Sequence, residues 1–459
     1  MLEPTIPIIT TLAEYQTRFW VEIGLEMRRR GREARFLSFD SRSNEMLAAA
    51  GLDYVDATSS ACEAALGDKD AFEVCQDFGV ERLNFWLTHE KFAFGIRDSE
   101  ALIRKLAGSL LVADKAIASM PKGSRLKMLQ ELGGFLSVIG SHFAALHHDI
   151  PSLLLEPSFF RGRLLFLSGD IQALKLEDSA SEPASAEVLA YLEDTLARSA
   201  IVIPEKDRHQ YTTAFRKVVN FRNARRLIQK LIDKHLLGKE QEFGHIGSHV
   251  SSHARMILAS RKLSKLYTPI SQLDSFVYYP LHVPGDMALT LRSPEYLDQE
   301  ALIDYICRVT PPGVAIAVKE HPAMIGAMGA EPLEKLKRRY DHFHLIPPST
   351  NNFDVLRRAD AIVTVNSKSG AEAGLLGQRV IVLGDAFYRN APFSLPVERM
   401  ADLGPALASV LDGTAPAAPQ LNVQDYFAAL WNETLAGELY VCDHANIERF
   451  VDSIITSLD

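Results

Sequence analysis

Three short clusters carry residue types able to hold and act on an anion. Lys319-Glu320-His321-Pro322 sets an ammonium group and an imidazole within three positions, and both can form charge-assisted hydrogen bonds to phosphate oxygens. Pro322 stiffens the turn that carries them. Thr364-Val365-Asn366-Ser367-Lys368-Ser369-Gly370 gathers hydroxyl, amide and glycine residues ahead of the helical run Ala371 to Leu376. Free backbone N–H groups and the helix dipole favour negative charge at such a start. Ordinary N-capping by Ser367 or Ser369, about 1 kcal/mol, is compatible with that role. Glu372, in the first turn, can accept hydrogen bonds from both hydroxyls of a ribose; the alternative is a dipole-favoured surface carboxylate. In the third cluster, Pro280-Leu281-His282-Val283-Pro284-Gly285-Asp286, a Pro-Gly turn carries a carboxylate. Asp286 there can act as base or nucleophile, and position alone equally allows a turn-stabilising Asp.

Each cluster follows a β-like run: Val314 to Lys319, Ala361 to Val365 and Phe276 to Leu281. Helical spacing over Glu300 to Val309 and Pro332 to Tyr340, with further β-like runs at His344 to Ile346 and Val380 to Leu383, makes the alternation βαβα. That is a doubly wound parallel sheet, whose ligands bind beyond the carboxyl ends of the strands. The first half starts the same way, with Ile6 to Thr10 and Ala34 to Asp40 β-like around a helix over Leu12 to Arg30, stopped by Gly31. Asp53 to Asp56 is a short strand. Asp70 to Leu146 reads as predominantly helical, followed by strands over Ser152 to Leu155 and Arg163 to Ser168 and a Ser/Pro/Ala-rich loop from Ala180 to Ala186. Ala186 to Leu266 is helix-rich, with a basic stretch of Arg222, Arg225, Arg226, Lys230, Lys234 and Lys239 that reads as a solvated helical face. A terminal helix over Ile447 to Leu458 can return across the first domain.

The 459 residues are about three times an ordinary domain, so two domains are expected. The division is 1–268 as a first α/β domain with a helical insertion, 269–432 as a second, and 433–459 as the returning tail. With 47% apolar and 23% charged residues, the chain has globular composition, and no stretch approaches the roughly 18 apolar residues of a membrane helix. Met1 to Thr11 has neither the basic start nor the cleavage site of a signal peptide, which points to a cytoplasmic protein. Cys62, Cys75, Cys307 and Cys442 lack paired spacing, so they read as buried thiols rather than a disulfide framework or zinc site. No metal site is expected; His147-His148-Asp149 reads as a helix end. A net charge of -9 argues against bulk nucleic-acid binding.

In this order and spacing the three clusters resemble the capsule polysaccharide biosynthesis family, which includes the Kdo transferases of capsule and lipopolysaccharide assembly. The resemblance is carried by Tyr279-Pro280-Leu281-His282 through Asp286, by Lys319-Glu320-His321-Pro322, by Val365 through Gly377, and by Val380 through Tyr388. Ile150-Pro151 to Phe160 and the last helix add a fainter likeness. The resemblance implies a GT-B fold: two Rossmann-like domains facing a central cleft, with a C-terminal helix crossing back. It implies no cofactor or metal, and a nucleotide-sugar substrate, CMP-Kdo or similar. It places Lys319, His321, Pro322, Asn366, Ser367, Lys368, Ser369, Gly370 and Glu372 at the donor, and Asp286 with His282 at the reacting centre. The first domain would then take the acceptor, a glycan or lipid-linked saccharide, with His142, Glu156, Arg161 and Arg163 as the residues offered to it. The expected activity is retaining transfer of an acidic sugar at the inner face of the inner membrane, with peripheral membrane association. Two other readings stand beside it: a nucleotide-sugar 2-epimerase of the same fold, and a non-catalytic sugar- or nucleotide-binding protein of polysaccharide assembly.

Overall fold

A computed structural model describes residues 4–176, 184–199, 237–243, 246–415 and 420–459. Most of the expected loop at 180–186 and the basic residues Arg222 to Lys234 lie outside these; Lys239 is described and pairs with Glu45. The strands are β1 (Ile6–Thr11), β2 (Arg35–Ser38), β3 (Asp53–Asp56), β4 (Leu126–Glu131), β5 (Ser152–Pro157), β6 (Arg163–Ser168), β7 (Phe276–Pro280), β8 (Ala315–Lys319), β9 (Phe343–Ile346), β10 (Ala361–Thr364), β11 (Val380–Val382), β12 (Ser394–Pro396) and β13 (Leu435–Ala436). They form two sheets, ordered β13-β6-β5-β4-β1-β2-β3 and β12-β11-β10-β7-β8-β9. The second sheet is wholly parallel, whereas in the first β6 runs antiparallel to β5 and β13 antiparallel to β6.

These are the two expected Rossmann-like units, and the tail does return to the first. The helix His444–Leu458 buries Ile447, Phe450, Val451, Ile454 and Leu458 against Phe19, Trp20 and Met27 of the helix Glu14–Arg29. Phe450 stands edge-on to Phe19, ring centroids 4.9 Å apart, a favoured aromatic geometry. Asp443 caps this helix by accepting from the Asn446 N–H.

The strand β7 lies fully buried in the middle of the second sheet, as expected where helices cover both faces of a parallel sheet. Its alternation splits the core. Phe276 and Tyr278 pack with Val188, Leu192 and Phe427 on one face, while Val277 and Tyr279 pack with Ala259 and Leu263 on the other. The helices Ala186–Arg198 and Ile246–Leu263 precede residue 268 but rest on the second sheet.

The run Asp70 to Leu146 is not wholly helical. The strand β4 interrupts it and sits centrally, between β1 and β5. Six residues between the helices Ser99–Ala118 and Leu136–His147, with Lys127 and Gln130 breaking the apolar run, leave too little period-2 signal to stand out.

Candidate functional site

Sheet order brings the three clusters together. The strands β10, β7 and β8 are neighbours, and Pro280 of β7 is registered against Lys319 of β8. The parallel direction puts the segments after Pro280, Lys319 and Thr364 at one edge. The Leu281 N–H donates to the Lys319 carbonyl at 2.9 Å, and the Asn366 N–H donates to His282 Nε2 at 3.2 Å. Gln299 fixes the His282 backbone from both sides, accepting from its N–H at 2.8 Å and donating to its carbonyl at 3.1 Å. Burial, with the neighbouring His321, pulls the His282 imidazole down to about 3, so the ring is neutral and serves as an acceptor for the turn.

Ser367 caps the helix Lys368–Leu375, accepting from the Ser369 N–H at 3.3 Å. Lys368, expected in the turn, is the first helical residue, and its ammonium donates to the Ser158 carbonyl of the first unit at 3.2 Å. Gly370 is required by packing: a Cβ there would lie 2.4 Å from the Tyr388 hydroxyl oxygen, and that hydroxyl donates to the Ser367 carbonyl. Asn366 is clamped by its side chain, which donates to the Ala288 carbonyl at 2.6 Å and to Ser293 Oγ at 3.2 Å.

Beneath this turn lies a buried polar network. Lys319 is 5% exposed and Glu372 is 3% exposed. Asn352 joins them: its Oδ1 accepts from Lys319 Nζ at 3.3 Å and from the Tyr278 hydroxyl at 2.9 Å, while its Nδ2 donates to Glu372 Oε2 at 2.7 Å and to Ser369 Oγ at 3.0 Å. Burial lowers Lys319 to about 8, against the pull of Glu372. It raises Glu372 to about 7, against the Asn352 bond and the charges of Lys319 and Lys368. The first-turn carboxyl therefore turns inward rather than lying on the surface. The Glu320 carboxyl accepts from the Gly326 N–H at 2.7 Å and the Tyr267 hydroxyl at 2.8 Å, so it braces the loop; His321 Nδ1 accepts from the Ala323 N–H at 3.3 Å, and Pro322 is part-buried beside it.

Asp286 is exposed and caps the short helix Met287–Thr290, accepting from the Ala288 N–H at 2.9 Å. Its charge is felt by His89 and Arg292. The loop abuts the first unit, since a Cβ on Gly285 would lie 3.2 Å from Ala93 Cα. Thr290 Oγ1 meets His89 Nδ1 at 2.8 Å.

The four residues offered to an acceptor are dispersed. Glu156 forms a two-pronged ion pair with Arg292, at 3.0 and 2.9 Å. Arg163 lies over the Trp431 ring at 4.2 Å and donates to Thr434 Oγ1 and its carbonyl, both at 2.6 Å. His142 is buried, which lowers its pKa. Arg161 lines a groove of about 500 Å³ with Glu438, Asp443, Asn446 and Arg449, and no residue of the three clusters borders that groove.

Sequence reasoning missed Asn352, Tyr278, Arg292 and His89. Asn352 opens a helix behind Asn351, a pairing that reads as capping, and a tyrosine in an apolar strand reads as core.

A family model described as capsule polysaccharide biosynthesis protein matches residues 141–394, more than half of the chain. The chain belongs to that family. The matched span of this family member takes in parts of both units, from the helix bearing His142 to β12. Protein FixF of Sinorhizobium fredii (strain NBRC 101917 / NGR234) is 31% identical over 181 residues, 38% of this chain and 42% of that protein, so the chain spans less than half of that relative. Similar solved structures include Thermosulfurimonas dismutans KpsC, beta Kdo 2,4 transferase, 17% identical with a TM-score of 0.34 over 73% of this chain and 88% of that one. Methanocaldococcus jannaschii UDP-GlcNAc 2-epimerase in complex with UDP-GlcNAc and UDP is 11% identical with a TM-score of 0.31, over 93% and 99%. Among the described residues, no helix is long and apolar enough to cross a membrane, and no group of three or more acidic, histidine or cysteine side chains is placed to hold a metal ion.

Proposed function

We propose that this family member is a glycosyltransferase that moves an acidic sugar, Kdo or a related nonulosonic acid, from a CMP-sugar to a glycan or lipid-linked acceptor in surface polysaccharide synthesis. The observation that carries the reading is the convergence of Lys319, Ser367, Ser369 and a helix start at the carboxyl edge of three adjacent parallel strands. A cation, two hydroxyls and the positive end of a helix dipole there suit a phosphate. In the transfer, the Asp286 carboxylate attacks the anomeric carbon as its bond to the phosphate oxygen breaks, and CMP leaves carrying that electron pair. The acceptor oxygen then bonds to the anomeric carbon as the bond to Asp286 breaks, its proton passing to the freed carboxylate and on to water, so two inversions retain configuration. Lys319, His321 and the helix dipole stabilise the departing phosphate, the part a metal ion plays elsewhere. Residues 1–268 take the acceptor and 269–432 the donor, with 433–459 crossing back, and the enzyme works at the cytoplasmic face of the inner membrane.

The test is a thermal-shift screen of nucleotides followed by turnover of Asp286→Asn. CMP should raise the melting temperature more than UDP or GDP, and the folded Asn variant should lose transfer. Full turnover in that variant would remove Asp286 from the mechanism. Conversion of UDP-GlcNAc without acceptor would instead make the protein a 2-epimerase, and CMP binding without transfer to any acceptor a binding partner in assembly.

A further inference from the structure

We infer that Asn352 is a positioning residue for phosphate: through one side-chain amide it holds the Lys319 ammonium and the Ser369 hydroxyl at the start of the helix Lys368–Leu375. This rests on the nucleotide-binding reading above and names the residue that orders its phosphate end.

The amide of Asn352 is saturated. It is 6% exposed, and its Oδ1 faces two donors, Tyr278 and Lys319, while its Nδ2 faces two acceptors, Glu372 and Ser369. An ammonium group only donates, so the amide oxygen must be the atom turned to Lys319, and the two Nδ2 protons must go to the hydroxyl and the carboxyl. The four partners come from three elements: Tyr278 from β7, Lys319 from β8, and Ser369 with Glu372 from the helix after β10. Asn352 thus ties β7 and β8 to the helix that follows β10, beside the edge where the clusters converge. Leucine at this position would leave the Lys319 ammonium with one fewer acceptor and the Glu372 carboxyl without this donor. Aspartate keeps the shape but replaces two donated protons with a second carboxylate facing Glu372. The charged and titratable groups around it are Lys319, Glu372, Tyr278 and, through Glu372, Lys368.

The experiment uses the full chain and two probes, CMP and cytidine, which differ by the phosphate. Affinities are measured by calorimetry at pH 6.5 and 8.5 for the wild type, Asn352→Asp and Asn352→Leu, with melting temperatures recorded alongside. Both variants should weaken CMP tenfold or more while changing cytidine less than threefold. Measured against wild type at the same pH, the Asn352→Asp variant should show a smaller CMP deficit at pH 6.5 than at pH 8.5, since the introduced carboxyl, once protonated, can again donate to Glu372. Equal losses for CMP and cytidine would mean a merely structural role and overturn the assignment, as would unchanged CMP affinity in both variants. If Asn352→Leu prevents folding, the isosteric Asn352→Asp variant carries the same comparison. A wild type that binds cytidine as tightly as CMP overturns the positioning role alone, whereas one that binds no nucleotide overturns the functional reading with it.

Discussion

Replacing Lys319 with methionine isolates the charge at the centre of the site. Met has similar length and no charge, and Asn352 keeps its bond from the Tyr278 hydroxyl, so the network loses one member rather than collapsing. A hydrogen bond to a charged group contributes about 1.5–3 kcal/mol, which at about 1.4 kcal/mol per factor of ten predicts roughly 10- to 150-fold weaker CMP binding. The pH dependence is the sharper signature. Burial lowers Lys319 to about 8, so at pH 9 only about one empty site in ten carries the ammonium, and affinity should fall about tenfold between pH 7 and pH 9. The second ionisation of a phosphate monoester, near 6, is largely complete by pH 7 and does not contribute. Glu372, raised to about 7, becomes a carboxylate over the same interval and repels phosphate, so both groups push in one direction. Calorimetry with CMP from pH 6 to 9 should show this decline in the wild type and a shallower one in Lys319→Met. An unchanged dissociation constant in the Met variant, or an identical decline in both proteins, would refute the placement of phosphate at Lys319.

Glu372 has a folded-state pKa above its ordinary 4.5, so the native state holds a proton the unfolded chain has released, and stability contributed by this group falls as pH rises from 4.5 through about 7; Glu372→Gln, which keeps an acceptor for Asn352, should melt higher than wild type at pH 8 and no higher at pH 4.5, and equal melting curves at both would contradict the raised pKa. Arg292→Met removes a pair whose side chains are 7% and 27% exposed and a 2.6 Å bond to the Ile171 carbonyl, and should cost about 2–4 kcal/mol in urea denaturation; a loss below about 0.5 kcal/mol would show that solvent screens the pair.

The legible parts of this chain were those whose signal is local. The clusters at Lys319, Ser367 and Asp286 stood out because each follows a strand and precedes a helix, and the sheet order then placed all three at one edge. The inward turn of Glu372 was not legible: a first-turn glutamate reads as surface-exposed until a partner is known, and that partner, Asn352, lies on another helix. Arg292 and Glu156 are 136 positions apart, so no window of sequence can pair them, and Glu156 on its own offers a charge without a partner. The strand β4 escaped for a related reason, since its identity is decided by β1 and β5 on either side and not by its own six residues. Arg163 illustrates the opposite error of emphasis, a cation whose partners are a tryptophan face and a carbonyl in the crossing segment.

The bonds that join the two units and the bonds that shape the site share atoms. Ser293 Oγ accepts from Asn366 Nδ2 and from the Asp385 N–H at 2.9 Å, Arg292 beside it holds Glu156 and Ile171, and Asp385 itself accepts from the Ala173 N–H at 2.9 Å and pairs with Lys175 at 2.7 Å. Lys368, in the first turn of its helix, reaches the Ser158 carbonyl across the same seam. A phosphate drawing on the Lys368 ammonium would compete with that carbonyl, and a shift of Asn366 would pass through Ser293 to Arg292. Ligand affinity and the closure of the seam are then linked quantities, and linkage is reciprocal: whatever free energy the seam gains when nucleotide binds, nucleotide loses when the seam is cut. Among the described residues the side-chain bonds of Arg292 go to Glu156, Ile171 and Gln172, so a change of CMP binding in its Met variant that persists at high salt, where the lost charge is screened, measures that linkage.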